Sequence, residues 1–261
     1  MSKVIILGSG AAPGVPALAN GFGACDETNP KNYRMRSGTY IELSGVKFLI
    51  DTSPDLRWQL IKNNIKKLDA VFYTHSHADH LHGIDDLREI NRISGGMLDI
   101  YGTKNMIQTI YTRFPYLICQ DEKKLNPIFC AALTPHIVEL EKSFMVKSLK
   151  VTPIEMVGHN IECTGYIFND GEVVHIADFR SLNESSLKYI TRQPELMIMP
   201  LTSPKGTRYH AGIEDLIHYT KRINPKKVII NHMAVECDYE QVKQQCLANM
   251  SPAYDGEVIE W

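Results

Sequence analysis

Residues 75–80 read His75-Ser76-His77-Ala78-Asp79-His80, an H-x-H-x-D-H string that gathers three imidazoles and a carboxylate into six positions. An apolar run, residues 68–74, leads straight into it. In a loop that follows a strand, this spacing lets His75 and His77 turn toward one ion while Asp79 and His80 turn toward a second. Imidazole with carboxylate suits Zn, Mn or Fe. A merely solvated polar loop has no reason to concentrate these residue types, so the string reads as a metal site at a strand end.

Three more residues of ligand type stand at comparable places. The run 150–157 ends at Gly158-His159, the run 172–177 at Asp178, and the run 226–230 at Asn231-His232. Ends of several strands at one sheet edge can converge, and α/β proteins commonly build active sites there. Taken singly, His159, Asp178 and His232 read as turn or capping residues. Behind a string that leaves two ions short of ligands, they read as ligands.

The rest of the chain repeats a grammar of strand, polar loop and helix. Residues 39–43 and 46–50 flank Ser44-Gly45 as a hairpin, and 165–168 and 172–177 flank Asn169-Asp170-Gly171 as another. Ser53 and Pro54 suit the cap and first position of a helix whose apolar side is Leu56, Leu60 and Ile61. Ile84, Leu87 and Ile90 recur at helical spacing behind Gly83, as do Ile213, Leu216 and Ile217. Asp85 and Asp86 suit the opening of the first of these helices, where carboxylates cap and favour the dipole. Little is assigned across 117–147. No repeat, low-complexity tract or linker divides the chain, so residues 1–261 are expected to form a single α/β domain.

Composition narrows the classes. With 44% apolar residues in 261, a large core is available, and a net charge of −2 supplies no global basic field for nucleic acid. The local run Lys31, Arg34 and Arg36 is still expected to be able to hold a phosphate. Cys25, Cys119, Cys130, Cys163, Cys237 and Cys246 form no C-x-x-C pair and read as buried or free thiols of a reducing compartment. No segment reads as a signal peptide or a membrane span, so cytoplasmic residence without membrane partners is expected. The string from Gly8 to Gly14 is neither a dinucleotide fingerprint, because Pro13 stands where the third glycine belongs, nor a Walker loop, which ends Gly-Lys-Ser/Thr. Its backbone amides are still expected to be able to contact phosphate.

Taken in order, Asp51, the 75–80 string, His159, Asp178 and His232 resemble the motifs of the metallo-β-lactamase fold hydrolases over nearly the whole chain. Within them the chain is similar to the PhnP-type phosphodiesterases, which hydrolyse cyclic phosphates. The stretches that carry this second likeness are residues 8–16, Leu49-Ile50-Asp51-Thr52, residues 83–88 and Thr164-Gly165-Tyr166. The resemblance implies an αββα sandwich with two central mixed sheets, helices outside, a two-metal centre at one edge and a homodimer. It also marks a departure. PhnP-type enzymes hold a structural zinc with a Cys-x-Cys-x-x-Cys cluster and a His three residues past the last ligand His. Here those places hold Cys25 alone and Val235, so no structural zinc is expected.

On this resemblance His75, His77 and His159 hold one divalent ion, Asp79, His80 and His232 a second, and Asp178 bridges them, with Asp51 orienting a ligand imidazole. Two such ions, Zn or Mn, ready a shared water for attack on a small phosphate ester. Asp79 also directs that water, and His210 serves as the proton donor to the leaving group. His82, His136, His175 and His218 have no convergent partner and read as surface or satisfied core residues. The competing readings are a tRNA 3′-processing endonuclease of the tRNase Z type, for which no Gly/Pro/Lys-rich RNA-binding arm is seen, a thioesterase or lactonase, and a non-catalytic metal-bound scaffold.

Overall fold

The structure, a computed structural model, describes residues 2–118 and 132–261; Cys119 and Cys130 lie outside them. The first half of the chain supplies β1 (Lys3–Gly8), β2 (Gly38–Leu43), β3 (Val46–Ile50), β4 (Ala70–Phe72), β5 (Leu98–Gly102) and β6 (Leu133–Ile137). The second half supplies β7 (Phe144–Val146), β8 (Leu149–Val157), β9 (Cys163–Phe168), β10 (Val173–His175), β11 (Ser181–Leu182), β12 (Leu196–Pro200), β13 (Lys227–Asn231), β14 (Met250–Pro252) and β15 (Glu257–Glu260). One sheet runs β15-β1-β2-β3-β4-β5-β6 and the other β11-β8-β9-β10-β12-β13-β14, with β7 beside β8. Both are mixed: β3 to β6 pair parallel, as do β10, β12, β13 and β14, while the remaining pairs are antiparallel.

Side-chain alternation explains the layering. Val4, Ile6, Phe48, Ile50 and Phe72 of the first sheet share one core with Phe168, Val173, Leu196, Ile198 and Ile229 of the second. Their neighbours Ile5, Leu7, Leu49, Val71 and Tyr73 face the other way, against α1 (Leu56–Lys62), α3 (Leu87–Ser94) and α4 (Lys104–Arg113). On the opposite side Val174, Met197, Met199, Val228 and Ile230 pack on α6 (Ile213–Ile223) and α7 (Tyr239–Gln245). Strands buried on both faces read as continuous apolar runs rather than alternating ones, as 68–74 and 226–230 do. The result is the expected αββα sandwich.

Local chemistry sets the turns. Ser44 (φ 53°) and Gly45 (φ 76°) both take the left-handed conformation that a two-residue hairpin turn demands, and Leu43 pairs with Val46 across it. The expected cap at Ser53 is corrected: α1 begins at Leu56 after Asp55, and the Ser53 hydroxyl accepts the Asp55 N–H at 3.3 Å in the turn before it while donating to Gln59 Oε1 at 3.1 Å. Asp85 and Asp86 sit in a 3₁₀ turn before α3 without capping it, and Asp85 accepts from the Tyr116 hydroxyl at 2.8 Å. No helix among the described residues is long and apolar enough to cross a membrane.

Phe72 stands at the middle of the inter-sheet core, its ring centroid 5.2 Å from Phe48, 5.0 Å from Tyr101, 5.4 Å from Tyr166 and 5.7 Å from Phe168. Rigid neighbours from both sheets cannot all collapse into the space it fills. Phe72→Ala should lower the unfolding free energy by about 3–5 kcal/mol in urea titrations. Ile93→Ala on the exposed face of α3 should stay within about 0.5 kcal/mol of the parent.

Candidate metal centre

The carboxyl ends of the strands carry the candidate ligands to one edge of the sandwich. Asp51 follows β3, His75 follows β4 by way of Tyr73 and Thr74, His159 follows β8, Asp178 follows β10 and His232 follows β13. Asp79 and His80 lie on α2 (Ala78–Leu81), a single turn opened by His77. That turn is fixed to the loop after β3, where Thr52 N–H donates to the His80 carbonyl at 2.7 Å. Gly83 just beyond approaches so closely that a Cβ there would lie 1.9 Å from the Ser53 carbonyl oxygen, so no larger residue fits.

Two triads result. In the first, His75 Nε2 lies 3.1 Å and His159 Nε2 3.3 Å from His77 Nδ1. In the second, His80 Nε2 is 3.2 Å from His232 Nε2 and 3.2 Å from Asp79 Oδ2, which is 3.3 Å from His232 Nε2. Tetrahedral ligands about 2.0–2.1 Å from a zinc ion stand about 3.3 Å from one another, so both triads are spaced for such an ion. Asp178 Oδ2 lies between them, 3.9 Å from His75 Nε2, 4.0 Å from His80 Nε2 and 3.5 Å from His232 Nε2. All seven expected ligand residues are thus brought together, and the donor set fits divalent cations.

Hydrogen bonds fix which nitrogen faces inward in His80 and His75. Asp51 Oδ2 accepts from His80 Nδ1 at 2.7 Å and from the Thr74 hydroxyl at 2.7 Å, while Oδ1 accepts the Thr74 backbone N–H at 2.8 Å. Having donated to Asp51, the Thr74 hydroxyl accepts from His75 Nδ1 at 2.9 Å, leaving the His75 Nε2 lone pair open. One carboxylate therefore orients an imidazole in each triad, directly for His80 and through a hydroxyl for His75. His159 differs: its Nδ1 is buried and meets no partner among the described residues. Asp51 (φ 63°) and His232 (φ 57°) hold left-handed backbone, a strained conformation that marks functional sites.

Charge follows geometry. Burial, together with His80, keeps His75 well below the usual imidazole value; burial also lowers His77 and takes His159 to about 4. Their lone pairs are therefore open at neutral pH, as ligation requires. Burial alone would raise Asp79 and Asp178, yet the surrounding imidazoles, His80 and His232 foremost, hold both well below the carboxylate range. Burial also opposes a charge on His80, but Asp79 and Asp51 outweigh it and raise this ring well above its ordinary value. In the metal-free protein His80 thus keeps the proton that a cation displaces.

Other expected residues are placed as follows. His210 precedes α6, its ring centroid 5.1 Å from that of His159 and 6.2 Å from that of His232. Sequence reasoning missed Thr74 and Thr202, whose hydroxyls give no pattern in the chain; Thr202 Oγ1 lies 3.2 Å from His232 Nδ1 and 3.3 Å from His210 Nδ1. The phosphate expected at Lys31, Arg34 and Arg36 is corrected. Arg34 is buried and donates to Asn32 and to the Ala234 carbonyl, Arg36 pairs with Asp55 at 2.8 Å, and Lys31 donates to Tyr239. The glycine-rich string is also largely committed: the amides of Ser9, Gly10, Ala11 and Gly14 already donate within the protein. Cys25 packs with Val15, Ala17 and Val235. His136 is a surface residue paired with Asp99 at 2.9 Å. His175 is buried but not satisfied, since its Nδ1 meets no partner among the described residues.

Residues 47–233 match the Beta-lactamase superfamily domain. The chain belongs to the beta-lactamase superfamily. The crystal structure of a new diphosphatase from the PhnP family superimposes with a TM-score of 0.87 at 26% identity, over 100% of this chain and 98% of that one, which places the chain in the PhnP-like branch. Human tRNase Z, short form, shares the fold with a TM-score of 0.71 at 18% identity, over 99% of this chain and 98% of its own. In sequence the chain is 29% identical over 257 residues to an octanoyltransferase of Porphyromonas gingivalis, covering 97% of this chain and 50% of that protein. It is 27% identical over 183 residues to Ribonuclease Z of Clostridium perfringens, covering 65% of this chain and 51% of that protein. The chain spans about half the length of these two relatives. It is a hydrolase-family enzyme whose fold implies divalent metal ions.

Two outcomes test the centre. Asp51→Ala, measured by chelator competition, should weaken metal affinity by about 10–100-fold, because His75 and His80 both lose their orientation. The metal-free protein should lose stability as pH falls from about 6.5, the ordinary imidazole value, toward 4. His159 and His175 both titrate at about 4 when folded, so in that window the unfolded chain binds protons that the folded one refuses. Urea midpoints of chelator-treated protein at pH 7 and pH 4.5 measure it.

Proposed function

We propose that this enzyme is a phosphodiesterase that opens a small cyclic phosphate or nucleotide ester in the cytoplasm, using two divalent ions, Zn or Mn. The observation that carries the reading is Asp178, one of whose oxygens stands 3.5 to 4.0 Å from nitrogens of both triads. Divalent ions held by His75, His77, His159, Asp79, His80, His232 and Asp178 would supply an acidified water and positive charge for the phosphoryl oxygens. The chain supplies the rest. Asp79, on the cleft side of the second triad, accepts a hydrogen bond from the attacking water and sets its direction.

His210 steadies the charge on the leaving oxygen with a hydrogen bond from its ring N–H, and its tautomer follows from its neighbours. If His232 offers Nε2 to an ion, its proton sits on Nδ1 and is donated to Thr202 Oγ1 at 3.2 Å. The Thr202 hydroxyl then has its own proton to give to His210 Nδ1 at 3.3 Å. That leaves the His210 proton on Nε2, toward the cluster it forms with His159 and Asp178. Burial lowers His210 from its ordinary value, which keeps the ring neutral at pH 7 with its N–H on Nε2. The cleft in front, about 440 Å³ and lined by Asn160, Ser203, Tyr209 and His210, has the size for a small ester.

Ribonuclease Z activity is the second reading, favoured by the Clostridium perfringens relative. Against it stand the net charge of −2 and the internal commitments of Arg34 and Arg36, which leave them little to offer an RNA backbone. Octanoyl transfer is not carried over, because the protein bearing that name is about twice as long as this chain.

Assays of the metal-loaded enzyme on bis(p-nitrophenyl) phosphate, cyclic phosphates, linear diesters and pre-tRNA separate these readings. Turnover of small diesters is expected, and turnover confined to pre-tRNA would transfer the assignment to ribonuclease. His210→Ala should reduce kcat by a factor on the order of 10²–10⁴ with metal content unchanged. Unaltered rates in that variant would remove His210 from the reaction.

A further inference from the structure

Where the inter-sheet core meets the candidate ligands there is a cavity of about 20 Å³, lined by Thr39, Ile50, His175, Ile198 and Asn231 beneath Asp51, His80, Asp178 and His232. Thr39 Oγ1, His175 Nδ1 and Asn231 Oδ1 are all buried without a hydrogen-bond partner among the described residues, and these residues are 1%, 8% and 3% exposed. Native interiors rarely leave such atoms unpaired, and here three of them belong to residues around one small space. A water needs roughly 10–15 Å³ of such space and two to four polar partners, and both conditions are met.

We propose that this chamber is a built site for one ordered water that bridges Thr39, His175 and Asn231. The donor and acceptor count closes. Asn231 Nδ2 already donates to Ser37 Oγ at 3.2 Å, so the free Oδ1 needs a donor, which the water supplies. The water's second O–H goes to His175 Nδ1, and the Thr39 hydroxyl donates to the water oxygen. Each of the three side chains is a positioning residue for a metal-site residue. Thr39 of β2 pairs with Ile50, which directly precedes Asp51; His175 ends β10 three residues before Asp178; Asn231 ends β13 directly before His232. The water therefore ties the first sheet to the second under the two left-handed residues, Asp51 and His232. It is independent of which ester the enzyme cleaves.

A crystal structure of the metal-loaded protein at about 1.5 Å resolution should show one peak within hydrogen-bond distance of all three atoms. Thr39→Val keeps the shape and removes the hydroxyl. It should lose the peak and weaken Zn²⁺ affinity by about tenfold in chelator competition, and Thr39→Ser should restore both. The proposal is overturned if the chamber of the parent protein contains no density, if a Tl⁺ soak gives an anomalous peak there, or if Thr39→Val binds Zn²⁺ as tightly as the parent. Should Thr39→Val not fold, the crystal structure of the parent decides alone. Failure to hydrolyse any diester would count against the phosphodiesterase reading and leave these readouts untouched.

Discussion

The carboxylate of Asp51 is the constraint on which the site depends. Its backbone N–H donates to the Phe72 carbonyl at 2.9 Å, continuing the ladder of β3 and β4, while its two oxygens take Thr74 N–H, the Thr74 hydroxyl and His80 Nδ1. One side chain so joins the ends of two parallel strands to the single turn of α2. A left-handed backbone at Asp51 is what lets its carboxylate face both, and Asp tolerates that conformation better than most residues because its short polar side chain bonds locally. Without these bonds His75 and His80 would have no fixed tautomer, and the triads would be spaced but not aimed.

The sandwich makes this aiming durable. Each sheet is sealed on one face by the shared core and on the other by helices, so its parallel strands have little freedom to shift, and their ends hold side chains more firmly than a loop would. The same burial creates an electrostatic problem. Asp51, Asp79 and Asp178 are 4%, 7% and 3% exposed, and three carboxylates in one small volume need positive charge beside them. In the metal-free protein the raised His80 ring supplies part of it; divalent cations supply more at shorter range. Metal binding is thus what the charge distribution of the site is organised to receive.

Much of this was legible in the chain because the ligands follow apolar runs that end abruptly. The 75–80 string, Gly158-His159, Asp178 and Asn231-His232 each mark a strand end, and strand ends of parallel sheets converge by construction. The turns at Ser44-Gly45 and Asn169-Asp170-Gly171 were legible for a similar reason, since few residues besides Gly, Asn and Asp tolerate their backbone. What escaped reading were partners defined only in space. Thr74 and Thr202 are ordinary threonines until folding sets them beside imidazoles. The cations Lys31, Arg34 and Arg36 resembled a phosphate cluster, but folding gives each of them a partner within the protein, Tyr239, Asn32 and Asp55 respectively. Ser53 looked like a cap because the sequence cannot show that Asp55 and a preceding turn delay the helix. His175 passed for a satisfied core residue because a strand end gives no sign of a chamber beneath it.

Thr74 and Thr202 perform related tasks with opposite direction. Thr74 gives its proton to a carboxylate and so must accept from His75, which fixes the imidazole as a neutral ligand. Thr202 has no carboxylate partner among its described hydrogen bonds and stands between two imidazoles, His232 and His210. A hydroxyl has a single proton, so it cannot donate to both rings, and the ring that gives a proton to it determines which ring receives one. When Nε2 of His232 is committed to a cation, the hydroxyl must turn to His210, and His210 must then carry its proton on the nitrogen nearer the cleft. Ligation at one side of Thr202 and the Nε2–H of His210 at the other therefore belong to one hydrogen-bonded state.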